Sequence, residues 1–381
     1  MKYLFLNLGF LVFSNFLDAQ IPNLNGQNRL DLVSWNIEWF GDASNGPSND
    51  VTQLNNVTKI INGLDVDIMG LCEVSNSNYW QLLKNNLPNY HGVISTWDQP
   101  QKTALFFKKS QFKLVYQKHV LSNYEYEFAS GRLPLEVCLE VIDKSLKIDT
   151  IYFWVIHLKA NTGSTSAKIE SYNRRNSASV LLKSHVLNTC KKWPGFVIGD
   201  WNDDFDKSIV TGYKSPFESW IEDTANAFVP TYKLSLAGKK STVSYSEMID
   251  HIACSANAKN NCVVDSTMAI YADNWVTSYG SSTSDHYPVY TRFDFTRNNN
   301  QTNSIDVNLE LSSTGISWNG EHWILNGVFL EMQEATVFSS DGKLLFNGLI
   351  GTYKPTNQKV VCVVLQSDQF HDLKRNWVYI P

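Results

Sequence analysis

Six short runs in this 381-residue chain share one design. Each closes an apolar, β-like stretch with a residue suited to metal or phosphate chemistry. In order they are Ser34-Trp35-Asn36-Ile37-Glu38, Gly70-Leu71-Cys72-Glu73-Val74, Val155-Ile156-His157-Leu158-Lys159, Ile198-Gly199-Asp200-Trp201-Asn202-Asp203, Met248-Ile249-Asp250-His251-Ile252 and Thr283-Ser284-Asp285-His286-Tyr287-Pro288-Val289. Any one is weak. The ordered set is strong, and the Asp285-His286 dipeptide is its most informative member.

Between these runs the pattern alternates irregularly between strand and helix. Leu30 to Trp35 reads as a buried strand. Asn49 and Asp50 offer a cap to a helix whose apolar stripe is Val51, Leu54, Val57, Ile60, Ile61 and Leu64. Val66 to Cys72 is the next strand, and Asn78 to Leu87 a second helix stopped by Pro88. Thr103 to Phe107 and Phe112 to Tyr116 read as strands joined by a polar turn. Leu133 to Ile142 and Leu146 to His157 read as an antiparallel pair turning at Asp143-Lys144-Ser145. Thr165 to Leu187 is a helix with Arg174, Arg175 and Lys183 among polar neighbours. Phe196 to Gly199, Ile249 to Cys254 and Val289 to Phe295 complete the strands. Strict βαβ alternation is missing, which predicts α+β, or two sheets face to face with helices outside.

The ends carry separate signals. Residues 1–19 read as an export leader: Lys2 precedes an apolar stretch from Leu4 to Leu17, and Ala19 sits before a cut at Gln20. That stretch is short for a membrane span, and no later one is long enough. The polar run 297–304 marks a linker between a domain of residues 20–296 and a small β-sandwich over 305–381, where Ser340-Asp341-Gly342 is a hairpin signal. Trp97 and Trp220 are candidates for an apolar membrane-facing hairpin, with burial the alternative. The six cysteines form no CxxC pair, which argues against zinc held by thiolates. The Cys254–Cys262 spacing permits a disulfide. A net charge of −5 argues mildly against a dedicated nucleic-acid binder, but not against an enzyme that meets a phosphodiester through a cation.

The chemistry follows from residue types. Glu73 at a strand end is a good ligand for a hard cation, although such a residue alone is more often a surface glutamate; Glu38 and Asp285 could add oxygens. Magnesium or manganese suits that set, with calcium an alternative. Asp250 is available to hold His286 in one tautomer, so that it can take a proton from water. Asn36, Asp200 and Asn202 could hold phosphate oxygens, orient a nucleophile or protonate a leaving group; Asx-turns and caps are the plain alternatives. His157 alone would more often be structural.

The ordered set resembles the DNase I-like endonuclease/exonuclease/phosphatase superfamily over residues 29–296. The resemblance rests on the "WN" run at Asn36, the glutamate after Asp67-Ile68-Met69-Gly70-Leu71-Cys72, "HL" at His157, "GDxN" at Asp200, the Ile249-Asp250-His251-Ile252 run and the final "SDHxPV". It implies two facing mixed sheets flanked by helices, a four-layer α/β/β/α sandwich, and metal-dependent in-line hydrolysis of a phosphoester. It implies that Glu73 is the principal metal ligand, with Glu38 and Asp285 as additional ligands or as groups just behind the ligands. Asp250 would orient His286, which acts as base or transition-state stabiliser. Asp200 and Asn202 would position nucleophile and phosphate, His157 would bind phosphate with help to the leaving group as a further role, and Asn36 would contact the phosphate or support the site. Arg132, in Gly131-Arg132-Leu133-Pro134, matches a phosphate-contacting "R-x-P" run, a structural arginine being the alternative. One departure is clear: the DNase branch places a glutamate near Gln101 and Lys102 to orient the histidine of "HL".

The segment Ala335 to Leu345, with the basic Lys374-Arg375-Asn376-Trp377 near the end, is similar to the sorting domains of the Bacteroidetes type IX secretion system. With the leader, this implies a secreted or cell-surface protein that meets secretion machinery through its C-terminal domain. The leading expectation is an exported endonuclease acting on DNA or RNA. A sphingomyelinase-like or inositol-phosphate phosphatase on the same fold is the alternative, and a non-catalytic surface or adhesion protein stands in another class.

Overall fold

The computed structural model describes residues 20–263 and 265–296, and seven strands between 316 and 379. The leader at 1–19, the linker at 297–304 and the strand expected at 305–311 lie outside the described residues. The chain divides into two compact units, Met1–Asn298 and Asn299–Pro381. Among the described residues no helix is long and apolar enough to cross a membrane.

The first unit holds two six-stranded sheets. Its strands are β1 (Leu30–Phe40), β2 (Ile68–Val74), β3 (Tyr90–Ile94), β4 (Lys102–Lys108), β5 (Phe112–His119), β6 (Leu135–Val141), β7 (Thr150–His157), β8 (Gly195–Asp200), β9 (Ala227–Phe228), β10 (Asp250–Ser255), β11 (Met268–Ala269) and β12 (Val289–Phe293). One sheet runs β11-β12-β1-β2-β4-β3 and the other β5-β6-β7-β8-β10-β9. Both are mixed: β1 with β2 and β7 with β8 are parallel, and the other pairs are antiparallel. The long helices are α1 (Asp50–Leu64), α2 (Ser77–Asn86) and α3 (Thr165–Thr189).

Side-chain alternation along each strand builds the layers. Leu30 and Leu32 of β1, Ile68 and Cys72 of β2, Phe153 and Val155 of β7, Phe196 and Ile198 of β8, and Ile252 and Cys254 of β10 share one core between the sheets. The residues between them point outward. Val33, Trp35, Met69 and Leu71 pack with Val57, Ile60 and Ile61 of α1 and Leu83 of α2. Trp154, Ile156 and Val197 pack with Ala178, Leu182 and Val186 of α3. The result is the expected helix, sheet, sheet, helix order. The sheets approach closely at Gly70, where an added Cβ would lie 2.4 Å from the Ile198 side chain.

Several elements depart from the sequence reading. β4 and β5, expected as neighbours across a turn, lie in different sheets: the chain crosses from one to the other through Lys109-Ser110-Gln111. Short β3, β9 and β11 carry too few residues for a periodic signal. Trp220 is buried, its indole N–H donating 3.0 Å to Ser179 Oγ, so it is no membrane-facing side chain. Trp97 is half-buried against the α3-side core. Cys254 and Cys262 are both free thiols.

In the second unit, Ile316–Trp318, Trp323–Leu325 and Val328–Phe329 (β13–β15) form one antiparallel sheet. Glu334–Ser339, Leu344–Leu349, Val360–Leu365 and Arg375–Tyr379 (β16–β19) form another, in the order β17-β16-β18-β19. The hairpin signal at Ser340-Asp341-Gly342 falls between the paired strands β16 and β17.

Candidate active site

The site is where the inter-sheet stripe runs out of apolar residues. Inward positions on β1 read Leu30, Leu32, Ser34, Asn36; on β7 Phe153, Val155, His157; on β8 Phe196, Ile198, Asp200; on β10 Cys254, Ile252, Asp250. Each strand thus presents a polar group at the same end of the sandwich. Register makes them neighbours: His157 pairs with Asp200 across β7 and β8, and Asp200 with Asp250 across β8 and β10. Gly199 lets β8 arrive there. Its φ is +149°, and a Cβ would lie 2.0 Å from the Ile156 carbonyl oxygen.

Glu73 should point the other way by alternation. A shift in register between Leu71 and Val74, with φ of +66° at Glu73, re-aims it. A matching irregularity follows Asn36 on β1, with φ of +44° at both Glu38 and Trp39. The Glu73 carboxylate then accepts from Asn36 Nδ2 at 2.9 Å and from the Trp39 N–H at 3.0 Å. Asn36 Nδ2 also donates to Asp200 Oδ2 at 3.1 Å, so one amide bridges carboxylates from both sheets. Gln53, buried on α1, holds the irregular β1 segment by donating to the carbonyls of Ile37, Glu38 and Thr283.

His286 Nδ1 meets Asp250 Oδ2 at 2.7 Å. Its Nε2 lies 4.0 Å from Asp200 Oδ2 and 3.8 Å from Asp285 Oδ1. Ser284 fixes this segment, donating to the Asn36 carbonyl at 2.6 Å and accepting from the His286 N–H at 3.0 Å. Burial opposes charge on His286. The Asp250 carboxylate, helped by Asp200 and Asp285, overrides it and holds the imidazole well above its ordinary pKa.

His157 is the converse. Burial and the neighbouring Arg132 guanidinium hold it well below the ordinary value, so it is neutral. Its Nε2 lies 3.4 Å from Asp200 Oδ2 and 3.7 Å from Glu73 Oε1. Arg132 Nη1 lies 3.0 Å from that same Nε2, while Nη2 donates to the Leu158 carbonyl at 2.9 Å. Gln101 Oε1 accepts from Arg132 Nη1 at 2.7 Å. The position lacking the DNase-type glutamate therefore reaches His157 at one remove, through Arg132. Asn202, with φ of +56°, donates from Nδ2 to the Leu158 carbonyl at 3.0 Å.

Two carboxyl groups are pushed up. Burial raises Asp200 to about 7, with the Asp250 charge adding to it. Burial, then the Asp285 and Glu73 charges, raise Glu38 to about 7. Among the described residues, ligand-type atoms gather within 4.8 Å of one another in two sets, Glu73 with His157 and Asp200, and Asp200 with Asp250 and His286. Glu38 and Asp285 belong to neither set, and Glu38 instead accepts the Asp285 N–H at 2.9 Å. A group of carboxyls that keeps protons near neutral pH, through burial first and mutual repulsion second, fits a hard divalent cation, which would offset both.

All of this opens into a cleft of about 450 Å³ lined by Glu73, Gln101, Arg132, His157, Asp200, Asn202, Asp285 and His286. Asn161, Thr162, Lys168, Ile209, Tyr245 and Glu247 also line it. None of these last six was read from the sequence. A family model described as the Endonuclease/Exonuclease/phosphatase family matches residues 33–302.

The chain belongs to the endonuclease/exonuclease/phosphatase family. Members of this family are phosphoester hydrolases and generally use divalent metals. Solved structures share the fold. An endonuclease/exonuclease/phosphatase from Bacteroides vulgatus matches at 17% identity and TM-score 0.53, over 70% of this chain and 99% of that one. The human Nocturnin catalytic domain with bound sulfate matches at 19% identity and TM-score 0.51, over 70% and 95%. D. rerio TDP2 complexed with a single-strand DNA product matches at 16% identity and TM-score 0.52, over 70% and 98%. No curated protein matches the chain.

One organising pair escaped the sequence reading. Arg175, wholly buried on α3, donates to Asp203 Oδ2 from Nε at 3.0 Å and Nη2 at 2.7 Å. Its Nη1 donates to the Lys159 carbonyl at 2.8 Å. The next residue, Asp204, accepts the Met248 N–H at 3.0 Å, just ahead of Asp250. The signal was present: Ser171, Arg174, Arg175, Ala178, Leu182 and Val186 mark one buried helical face.

Proposed function

We propose that the protein is an exported, metal-dependent phosphodiesterase that cuts DNA or RNA internally. The observation that carries this reading is the meeting, at one end of the sandwich, of the Asp250–His286 pair with Asn36, Glu73, His157 and Asp200. The D. rerio neighbour, whose structure holds a single-strand DNA product, is in keeping with it. Export rests on the leader at 1–19 and on the C-terminal resemblance to a sorting domain.

Glu73 and Asp200 are the carboxylates placed to hold magnesium or manganese, with Glu38 and Asp285 adding negative charge nearby. A divalent cation there supplies neutralisation of charge developing on the phosphate oxygens. The chain's own groups do the rest. Asn36 keeps Glu73 and Asp200 in register across the two sheets. Asp250 fixes the His286 ring, and Nε2 faces the cleft, where it takes a proton from water when neutral and faces phosphate oxygens when charged. His157 stays neutral beside Arg132, so the phosphate meets the guanidinium charge and an uncharged ring.

The test is incubation of the purified protein with supercoiled DNA, RNA and dispersed sphingomyelin, with magnesium and with a chelator, and His286→Ala as control. Magnesium-dependent nicking by the parent and not by the variant is expected. Hydrolysis of sphingomyelin with nucleic acid left whole would overturn the nuclease reading.

A further inference from the structure

The first unit holds five arginines between residues 29 and 292, and four of them face a carboxylate. Arg29 meets Asp294, Arg174 meets Glu170, Arg175 meets Asp203 and Arg292 meets Asp31. Arg132 differs. Among the described residues its side-chain partners are Gln101 Oε1, the His157 ring and the Leu158 carbonyl, and none of these carries negative charge. Its Nε is buried without a partner. Burial weighs against the guanidinium charge, and the Asp200 and Glu73 carboxylates that favour it act from beyond ion-pair distance. Those two are also the groups placed to hold the cation. A buried cation with no carboxylate of its own is unfavourable unless an anion reaches it, and this one lines the cleft.

Gln101 decides whether that charge stays free. It directly precedes β4, and Lys102, the first residue of that strand, donates from Nζ to the Trp97 carbonyl at 2.6 Å, which turns the loop back. A guanidinium only donates, so the oxygen end of the Gln101 amide must face it, at 2.7 Å from Nη1. Among the described residues Gln101 Nε2 has no protein partner, and the side chain lines the cleft beside Arg132. This wall therefore keeps a positive charge and a spare donor at the cleft. A glutamate of the same shape would accept the same hydrogen bond and cancel the charge. We propose that Gln101 is a specificity-determining residue: its uncharged acceptor positions Arg132 while leaving the guanidinium charge for an anionic oxygen of the phosphate seated at Glu73. This rests on the phosphodiesterase reading above. Gln101 acts through Arg132, so it sets how strongly the anion is held rather than the rate of the chemical step.

The experiment measures kcat and KM with magnesium on a single-stranded DNA or RNA oligonucleotide, whichever the parent cuts faster, across a range of potassium chloride. The parent is compared with Gln101→Glu and Gln101→Leu. Gln101→Glu should raise KM about 10- to 100-fold, the scale of one hydrogen bond to a charged group, with kcat much less affected. Its plot of log KM against log salt should flatten by about 0.7, the loss of one phosphate contact on a single strand. Gln101→Leu removes the acceptor but adds no charge, so it should keep the parent's salt slope whatever its KM. A Gln101→Glu enzyme with the parent's KM and slope would overturn the proposal. So would a Gln101→Leu enzyme whose slope falls as far, because charge would then not be the cause. A parent that cuts neither strand would remove the nuclease reading itself, and this proposal with it.

Discussion

The guanidinium of Arg175 and the carboxylate of Asp203 meet through two hydrogen bonds, 3.0 and 2.7 Å, with no solvent access to either side chain. The same guanidinium holds the Lys159 carbonyl. One side chain of α3 thus joins the loop after His157 to the loop after Asp200. Breaking a buried pair by removing one partner leaves an uncompensated charge and costs about 3–5 kcal/mol. Arg175→Ala should lose that much in urea denaturation. Arg175→Lys keeps the charge but not the fork, and should lower kcat about 10-fold or more with little change in KM, as expected when reacting groups are displaced slightly.

Asp250→Asn should keep the fold and lower turnover by about 10²–10⁴-fold. The carboxylate raises the His286 pKa, so its removal should move the imidazole titration to lower pH. The chemical shift of the His286 ring protons, followed against pH by NMR, checks the direction. An unmoved titration would disconnect the pair.

Cation binding should weaken as pH falls. Glu38 sits at about 7 and Asp200 at about 7, so below that pH both carry protons that a cation must displace. Magnesium affinity measured by calorimetry between pH 6 and 8 should rise with pH, with proton release visible in buffers of different ionisation enthalpy. Glu73→Gln should lower the affinity at every pH.

Glu136 gives a separate handle on acid stability. Burial would raise its pKa, but hydrogen bonds from His185, Tyr116, Lys118 and Trp154 override this and hold it at about 2, against an ordinary 4.5. A depressed carboxyl stabilises the fold fully above its unfolded value, and the contribution fades as pH falls from about 4.5 towards 2. Discounted for the solvent reaching Lys118, the effect is on the order of 2 kcal/mol. Denaturant midpoints of the parent should drop over that range. Glu136→Gln should be less stable at neutral pH and show a flatter acid limb.

Much of this was legible in the sequence because strand alternation writes burial directly into residue order. The α1 stripe reads correctly except at its first residue. Val51 is exposed, and buried Gln53, whose polarity hid its place on the inner face, holds the bulged β1 segment. The strand-end residues stood out because each follows an apolar run. Glu73 was visible as a residue, but not the register shift that aims it, since backbone irregularity leaves no residue-type mark here. Arg174 and Arg175 read only as charges among polar neighbours on a helix; their spacing on the buried face was the signal of burial. The cleft residues Lys168, Tyr245 and Glu247 sit in loops or on an exposed helix face, where no period constrains them. The β4–β5 connection misled for a related reason: a short polar turn looks the same whether it joins neighbours or two sheets.

The polar ends of β1, β2, β7, β8 and β10 belong to two different sheets, and Asn36 bridges them with a single amide. Neither sheet alone contains a working constellation, and the groups that meet, from Asn36 to His286, span most of the first unit's sequence. The cleft therefore exists only where both sheets are docked, so whatever chemistry the protein performs depends on the packing between them as much as on the groups themselves.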